Sequence, residues 1–162
     1  VWFYGLHPKP PGRENRYGEV RGSGPRDAEL IVAAREIREL KEPVIVAGDF
    51  NDVAWSHTTR RFQRVGKLRD PRIGRGFYNS FHAGHRLWRF PVDHLFHSEH
   101  FSIRDFGRLP CIGSDHFPIF AVLGREPAAR PAQAPPRATA ADAGEGEEEP
   151  QAAGLPPGST RA

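Results

Sequence analysis

The fold is decided by the segment Pro43-Val44-Ile45-Val46-Ala47-Gly48-Asp49-Phe50-Asn51, in which a short, mostly β-branched run ends abruptly in a glycine and polar side chains. A continuous apolar run of this length is typical of a strand that is buried on both faces of a sheet. The polar residues that follow are therefore expected at the end of a buried strand.

The residues before this strand carry the period of an amphipathic helix. Apolar side chains recur at three- and four-residue spacing from Leu30 to Leu40, with Asp27 in the first turn, Arg38 in the last and Pro43 beyond the end. Further upstream, the apolar and aromatic run from Val1 to Leu6 is typical of a strand. This order of strand, helix and strand predicts a sheet covered by helices.

The residues after Asn51 predict one more helix and then strands. A short helix is expected from about His57 to Val65, with Ser56 as its N-cap. Turn-length segments separate the strands predicted beyond it, which are Phe77 to Phe81, Val92 to Phe96, Phe101 to Phe106 and Phe117 to Leu123. The predicted class is therefore α/β with a mixed sheet.

The composition divides the 162 residues into two parts. From Arg125 onward, 22 of 38 residues are Ala, Pro or Gly, and Leu155 is the only large aliphatic residue. Such a segment cannot bury enough apolar surface to offset its conformational entropy, so we expect a disordered Ala/Pro/Glu-rich tail over 125–162. The remaining residues, 1–124, suffice for one hydrophobic core.

The charge of the predicted folded part permits an anionic partner without requiring one. It carries 19 Lys and Arg against 14 Asp and Glu, a net charge of +5, and most of the basic residues are Arg. Arginine suits forked contacts to phosphate or carboxylate. No apolar run approaches the roughly 18 residues of a membrane span, and the single Cys111 excludes an internal disulfide.

Asp49 and Asn51 are the first candidate functional residues. Two positions apart on an extended backbone, their side chains lie on one side and could together hold a water, a metal ion or a phosphate oxygen. An equally reasonable interpretation is an Asx turn, because Asp and Asn after a strand commonly bond their own backbone.

Asp93 and His116 are the second candidates. Asp93 and His94 are adjacent in an otherwise apolar strand, so one of them must point inward, and a buried carboxylate needs a partner to offset its desolvation. His116 is the obvious partner, and an Asp–His pair holds the imidazole in one tautomer and raises its basicity. A purely structural bridge between two loops is the alternative. Arg86 and Arg89, just upstream, could grip a substrate phosphate or could be solvated surface residues beside Trp88.

Three segments together resemble the last three signature motifs of the endonuclease/exonuclease/phosphatase superfamily. They are Gly48-Asp49-Phe50-Asn51, Pro91-Val92-Asp93-His94 and Gly113-Ser114-Asp115-His116-Phe117-Pro118. Each motif is weak alone, but the order and spacing of all three match, and the resemblance spans about residues 1–124. It implies a C-terminal part of a four-layer α/β sandwich with mixed, largely antiparallel sheets.

The resemblance also implies a metal-dependent phosphoesterase in which water attacks phosphorus in line. By this similarity, His116 paired with Asp93 is the general base or the phosphate-contacting histidine, and Asp49 orients or deprotonates the water. Asn51 contacts the scissile phosphate and His7 stabilises charge there. Asp115 is the implied ligand of Mg²⁺ or Mn²⁺. The implied substrates are phosphate esters of nucleic acids, phospholipids or inositol phosphates.

The family also uses an early Asn and a strand-borne Glu, its main metal ligand, from an N-terminal half. This chain opens directly on the aromatic strand at Val1 and contains neither. We therefore expect it to be part of a longer protein, to bind metal weakly and to be active only in the full-length parent. Similar bacterial members carry N-terminal hydrophobic helices, which would associate that parent with a membrane. A truncated, non-catalytic module is the alternative.

Overall fold

The computed structural model describes residues 1–12 and 22–125, together with Arg137 and Thr139. These residues form two helices and five strands. In chain order the elements are β1 (Trp2–Gly5), α1 (Gly24–Glu39), β2 (Val44–Asp49), α2 (His57–Val65), β3 (Asp93–His97), β4 (Phe101–Arg108) and β5 (Ile119–Arg125). The α/β class predicted from the sequence is confirmed.

The strands form two sheets. The first has the order β1-β2-β3, in which β1 pairs with β2 in parallel and β2 pairs with β3 antiparallel. The second is the antiparallel pair β4-β5, with an irregularity between Ile103 and Asp105. The mixed sheet follows from the helical connection α1 between β1 and β2, because parallel neighbours need a crossover.

Helix α1 covers the first sheet as the sequence predicts. It begins with Pro25 in its first turn, carries Asp27 there and Arg38 in its last turn, and the helical hydrogen bonding ends at Leu40. Charges so placed complement the helix dipole. Its buried apolar side chains include Leu30, which belongs to the main core.

Helix α2 begins at the predicted cap, because the Ser56 side chain accepts a hydrogen bond of 3.0 Å from the Thr59 amide. Its Phe62 packs edge-on against Phe50, with ring centroids 5.0 Å apart. Phe96 of β3 completes this aromatic cluster, and all three rings are fully buried. The core therefore lies directly behind the Gly48–Asn51 segment.

Two predictions about strands need correction. The strand predicted over Phe77–Phe81 is wrong: only Phe81 forms bridges, and Tyr78 has a φ of 48°, which interrupts an extended chain. The aromatic residues that suggested a strand are instead used in loop contacts. Strand β2 is also less buried than predicted, because Val44 and Val46 are buried whereas its alternate residues are half-buried.

The predicted tail begins one residue too early, since Arg125 is the last residue of β5. Apart from Arg137 and Thr139, the rest of that tail lies outside the described residues. At the other end, Trp2 and Phe3 of the edge strand β1 are exposed. In the described ranges no helix combines the length and apolar character that crossing a bilayer demands.

Gly48 sets the distance between β1 and β2. Its φ is 154°, and a Cβ atom at this position would overlap the backbone carbonyl of Leu6. The amide of Leu6 donates a hydrogen bond of 3.0 Å to Ala47. The absence of a side chain therefore lets the end of β1 lie against the end of β2.

We predict that Gly48→Ala lowers the free energy of unfolding by about 3 kcal/mol or more, because the added methyl group must displace backbone and adopt an unfavourable φ. Gly24→Ala is the matched control, since nothing lies within 4 Å of the position that its new methyl group would occupy. The control should change stability by less than about 1 kcal/mol. Urea denaturation of both variants measures the difference, and equal stability would contradict the packing described here.

Candidate functional site

Two carboxylates meet across the β2–β3 ladder. Asp49 is the last residue of β2 and Asp93 the first of β3, and the antiparallel register places them directly opposite each other. Like charges in this arrangement repel, so the pair needs a positive group or a shared proton nearby. The ladder thereby creates a place for a cation at this end of the sheet.

His116 lies between the two carboxylates. Its Nδ1 is 2.7 Å from Oδ2 of Asp93, and its Nε2 is 3.9 Å from Oδ2 of Asp49. Because a carboxylate only accepts hydrogen bonds, Nδ1 carries a proton and donates it to Asp93. The Nε2 atom is left facing Asp49, free to accept a hydrogen bond when neutral or to donate one when the ring is charged.

The pKa of His116 is raised above its ordinary value. Partial burial lowers this pKa, but the hydrogen bond to Asp93 and the negative charges of Asp93, Asp49 and Asp115 together outweigh the burial. The site therefore favours the imidazolium form. That form is the positive group that the opposed carboxylates need.

Ser80 supports this pair through its hydrogen bonds, although it belongs to none of the three sequence motifs. Its hydroxyl accepts a hydrogen bond of 3.1 Å from the Asp93 amide, and its carbonyl accepts one of 2.8 Å from the amide of Phe117. Phe81, the next residue, forms a bridge to His116 and packs against its ring at 4.9 Å. A serine in a loop gives no sequence signal for this role.

His7 joins the site from the end of β1. Its Nε2 lies 3.8 Å from Oδ2 of Asp49, and its side chain is 74% exposed. The close approach of Leu6 to Gly48 brings it there. One oxygen of Asp49 thus faces two imidazoles, both slightly beyond direct hydrogen-bond distance.

At Asn51 the structure shows the Asx turn, one of the two interpretations that the sequence left open. Its amide donates a hydrogen bond of 2.8 Å to Oδ1 of Asp49, which is an Asx turn, and its φ is 51°. Its side-chain Nδ2 donates to the carbonyl of Pro8 at 3.0 Å. An amide nitrogen has two hydrogens, so one N–H remains for another partner.

Arg26 of α1 supports the backbone at Asn51, a role that no motif indicated. Its Nη1 donates to the Asn51 carbonyl at 2.8 Å, and its Nη2 lies 3.3 Å from the Asp52 carboxylate. Nη2 also pairs with Asp27 at 2.7 Å. Because the guanidinium is buried, these contacts hold the residue after the Asx turn firmly.

His94 supports the same loop from inside the core. Arg72 Nη2 lies 2.8 Å from its Nδ1, and since arginine only donates, Nε2 carries the proton and donates to the Asp52 carbonyl at 2.9 Å. The imidazole is fully buried and packs against the rings of Phe50 and Phe96. Burial and the Arg72 charge lower the pKa of His94 to about 3.

A hollow of about 370 Å³ opens over these groups, lined by Asp49, Asn51, Asp52, Val53, Phe81, Phe90, Val92 and His116. Of the predicted catalytic residues, Asp49, Asn51 and His116 line it directly. Asp93 and His7 do not line the hollow themselves. Asp93 bonds His116, and His7 lies near Asp49. The hollow thus combines acidic, amide and imidazole groups with an apolar wall.

The predicted metal ligand is less well supported by its surroundings. Asp115 is exposed, and its Oδ1 lies 3.5 Å from the Ser114 hydroxyl. Within the part of the chain that the structure describes, no three His, Cys, Asp or Glu side chains converge as metal ligands. The residues present therefore do not form a complete site for Mg²⁺ or Mn²⁺ by themselves.

The two predicted phosphate-contacting arginines lie in a different recess. Arg86 and Arg89 line a cavity of about 550 Å³ with Arg108 and Tyr78, and neither lines the hollow at Asp49. Arg89 already donates to the His85 carbonyl at 2.5 Å and lies 4.8 Å from the Phe117 ring. The structure therefore does not bring these arginines into the group around His116.

The chain belongs to the endonuclease/exonuclease/phosphatase family, whose model matches residues 2–116. Membership supports a function on phosphoester bonds, and members generally use divalent metal ions. No curated protein sequence matches the chain significantly.

Solved structures share the fold at low sequence identity. A conserved protein of unknown function from Enterococcus faecalis is 18% identical, with a TM-score of 0.56, over 76% of this chain and 50% of its own. A mannosyl-6-phosphatase from Bacteroides thetaiotaomicron is 21% identical, with a TM-score of 0.53, over 75% and 50%. An endonuclease/exonuclease/phosphatase from Bacteroides vulgatus is 22% identical, with a TM-score of 0.55, over 65% and 46%. This chain thus spans about half the length of these proteins.

The buried His94 predicts a loss of stability in acid. Its pKa of about 3 lies far below the ordinary value of 6.5. Below pH 6.5 the unfolded chain therefore binds a proton that the folded chain refuses, and stability falls as the pH falls. Between pH 7 and pH 5 this residue alone should cost about 2 kcal/mol.

The matched comparison is His94→Gln against His57→Gln, in which the second residue is exposed. Glutamine can keep both hydrogen bonds of His94 but does not titrate. Between pH 7 and pH 5, the free energy of unfolding of His94→Gln should fall by about 2 kcal/mol less than that of the wild type. That of His57→Gln should fall as much as in the wild type. Urea denaturation at a series of pH values measures this. Identical acid profiles for wild type and His94→Gln would contradict the assignment.

Proposed function

We propose that the hollow at Asp49 and His116 is the hydrolytic site of a phosphoesterase in which water attacks phosphorus in line. The observation that carries this proposal is the imidazole of His116 between two opposed carboxylates. It bonds Asp93 at 2.7 Å and turns Nε2 toward the hollow and Asp49. Such an arrangement can bind an anionic group and accept or donate a proton within the same small volume.

His116 acts as the phosphate-contacting cation in this proposal. Family resemblance leaves its role open between base and cation, and the raised pKa favours the charged form. With Nδ1 held by Asp93, the Nε2–H donates a hydrogen bond to a phosphoryl oxygen. Charge develops on that oxygen during attack, so the bond strengthens as the reaction proceeds.

Asp49 then orients and deprotonates the water. Its Oδ1 is occupied by the Asn51 amide, whereas its Oδ2 faces the hollow between the two imidazoles. The water proton passes to Oδ2 as the water oxygen bonds phosphorus and the bond to the ester oxygen breaks. The remaining N–H of Asn51 contacts the phosphate, and His7 stabilises charge at the phosphate or the leaving oxygen.

A divalent metal ion, Mg²⁺ or Mn²⁺, belongs to the proposal through the family alone. Asp115 is the one ligand that motif similarity assigns, and the described residues offer no converging set of three. Sparse carboxylate sites of this kind bind Mg²⁺ weakly and rely on waters and substrate phosphates. We therefore assign no reaction step to the metal in this chain.

The substrate class is a phosphate ester, with nucleic acids, phospholipids and inositol phosphates as the candidates. The net positive charge of residues 1–124 suits each of these anions. Because the chain spans about half the length of the similar structures, we propose the activity for the full-length protein that contains these residues. The family resemblance allows that protein to be anchored in a membrane. Arg86 and Arg89 line a separate recess, so any contact they make is with a part of the substrate away from the scissile phosphate.

We predict that His116→Ala lowers turnover of a nitrophenyl phosphate ester by about a hundredfold or more, as expected for loss of a group that contacts the reacting phosphate. Asp93→Asn should lower it less, because the imidazole remains. His57→Ala, on the exposed face of α2, is the control and should leave turnover unchanged. The variants are compared in the longest natural protein with Mg²⁺ present.

The pH profile separates the two roles of His116. A required imidazolium predicts that kcat/KM falls as the pH rises through the raised pKa of His116. Asp93→Asn should move this fall to lower pH, because it removes the carboxylate that stabilises the charge. A rate that rises with pH over the same range would assign His116 as the base instead. Unchanged turnover in His116→Ala would remove the residue from the reaction.

A further inference from the structure

A second cavity, of about 380 Å³, lies outside the hollow just described. We name it the Trp55 cleft, and the residues that line it include Trp55, Arg60, Asp70, Arg72, Arg75 and Phe77. None of these residues lines the hollow at His116. The two cavities are nevertheless neighbours along the chain, because Asp52 and Val53 line one and Ala54 and Trp55 line the other.

One wall of the Trp55 cleft is aromatic and open to solvent. Trp55 and Phe77 contact each other edge-to-face, with ring centroids 5.6 Å apart and planes at 86°. Trp55 is 44% exposed and Phe77 is 66% exposed. Large rings exposed together in a concave surface mark a binding site more often than a packing defect. Planar aromatic groups stack on such rings with useful energy.

The other wall is cationic. Arg60 and Arg75 are exposed at its rim, and Arg72 lines the cleft although only 6% of its surface is exposed. The Arg72 guanidinium lies against Asp70, His94 and the Phe96 ring, so it supports the wall from the core side. Asp70 neutralises one of these three charges. The remaining positive charge, carried by the exposed Arg60 and Arg75, favours an anionic group.

The turn that carries the cationic wall is rigid. The Asp70 carboxylate accepts hydrogen bonds from the Arg72 amide at 2.9 Å and from its Nη2 at 2.7 Å. The Arg72 carbonyl in turn accepts from the amides of Arg75 and Gly76 at 2.8 and 3.2 Å. A wall fixed in this way does not have to be ordered when a ligand binds, which lowers the cost of binding.

We propose that the Trp55 cleft binds a nucleoside phosphate, with the base stacked on the aromatic wall and the phosphate on the arginines. Only a ligand that joins a planar ring to an anion uses both walls, and a volume of about 380 Å³ lies within the usual range for a small ligand. A free nucleotide and one unit of a nucleic-acid strand share this chemistry. The proposal goes beyond the hydrolytic site, since binding here requires neither Asp49 nor His116.

The test measures binding of adenosine 5′-monophosphate to the full chain by calorimetry, in the presence of a chelator so that no metal-dependent turnover occurs. Adenosine and ribose 5-phosphate supply the two halves separately, and we expect each to bind at least about tenfold more weakly than the nucleotide. A short oligodeoxyadenylate is the second arm. Tighter binding of the strand than of the nucleotide identifies a nucleic acid as the source, and the reverse identifies a free nucleotide.

The variants test each wall. Trp55→Ala and, independently, Phe77→Ala should weaken nucleotide binding about tenfold or more, whereas Trp88→Ala, an exposed tryptophan outside the cleft, should not. Arg60→Gln should weaken binding and its salt dependence, whereas Lys41→Gln, an exposed cation elsewhere, should leave both unchanged.

The variant His116→Ala distinguishes binding in the cleft from binding at the hydrolytic site. It should bind the nucleotide as tightly as the wild type. Loss of binding in His116→Ala with retention in Trp55→Ala would place the nucleotide in the hollow and overturn the cleft. Equal binding of nucleotide and ribose 5-phosphate, or binding of vesicles of phosphatidylserine without binding of the nucleotide, would also overturn it. If the protein proves inactive on phosphate esters, the binding result stands unaffected.

Discussion

The opposition of Asp49 and Asp93 across the β2–β3 ladder is the constraint on which the site depends. Backbone register forces the two carboxylates together, and His116 bonds one of them and faces the other, which raises the pKa of the imidazole. The hydrogen bond from Nδ1 to Asp93 also orients the ring, so that Nε2 faces Asp49 at the hollow. Fold and candidate chemistry are therefore joined at one point, where a structural need for a cation supplies a group that can bind phosphate.

The rest of the fold keeps this point in place. Gly48 admits the end of β1, so that His7 reaches Asp49, and the Asx turn at Asn51 is held from two sides. Arg26 bonds the carbonyl of Asn51, and His94 bonds the next carbonyl from inside the core. Such buried support costs stability in acid, because a neutral His94 is required, but it leaves the residues that face the hollow little freedom to move.

Much of this was predictable from local sequence, and the remainder depends on long-range contacts. Helix α2 with its Ser56 cap follows from side-chain chemistry within a few residues, and the pairing of Asp93 with His116 follows from the cost of an unpaired carboxylate. The strand predicted at Phe77–Phe81 failed because backbone turns with positive φ override the strand preference of aromatic residues.

Other features lay beyond sequence reasoning for a related reason. Arg26 and Ser80 look like ordinary surface and loop residues, and only the folded chain brings them to Asn51 and Asp93. Arg86 and Arg89 precede Asp93 closely in sequence, yet they line a separate recess.

NMR titration of the His116 ring protons in the full chain measures whether the two carboxylates raise the pKa of this imidazole. We expect a His116 pKa above its ordinary value that falls in Asp93→Asn and, to a smaller extent, in Asp49→Asn, but not in Asp105→Asn on β4. A His116 pKa at or below the ordinary value, or one unchanged in Asp93→Asn, would contradict it.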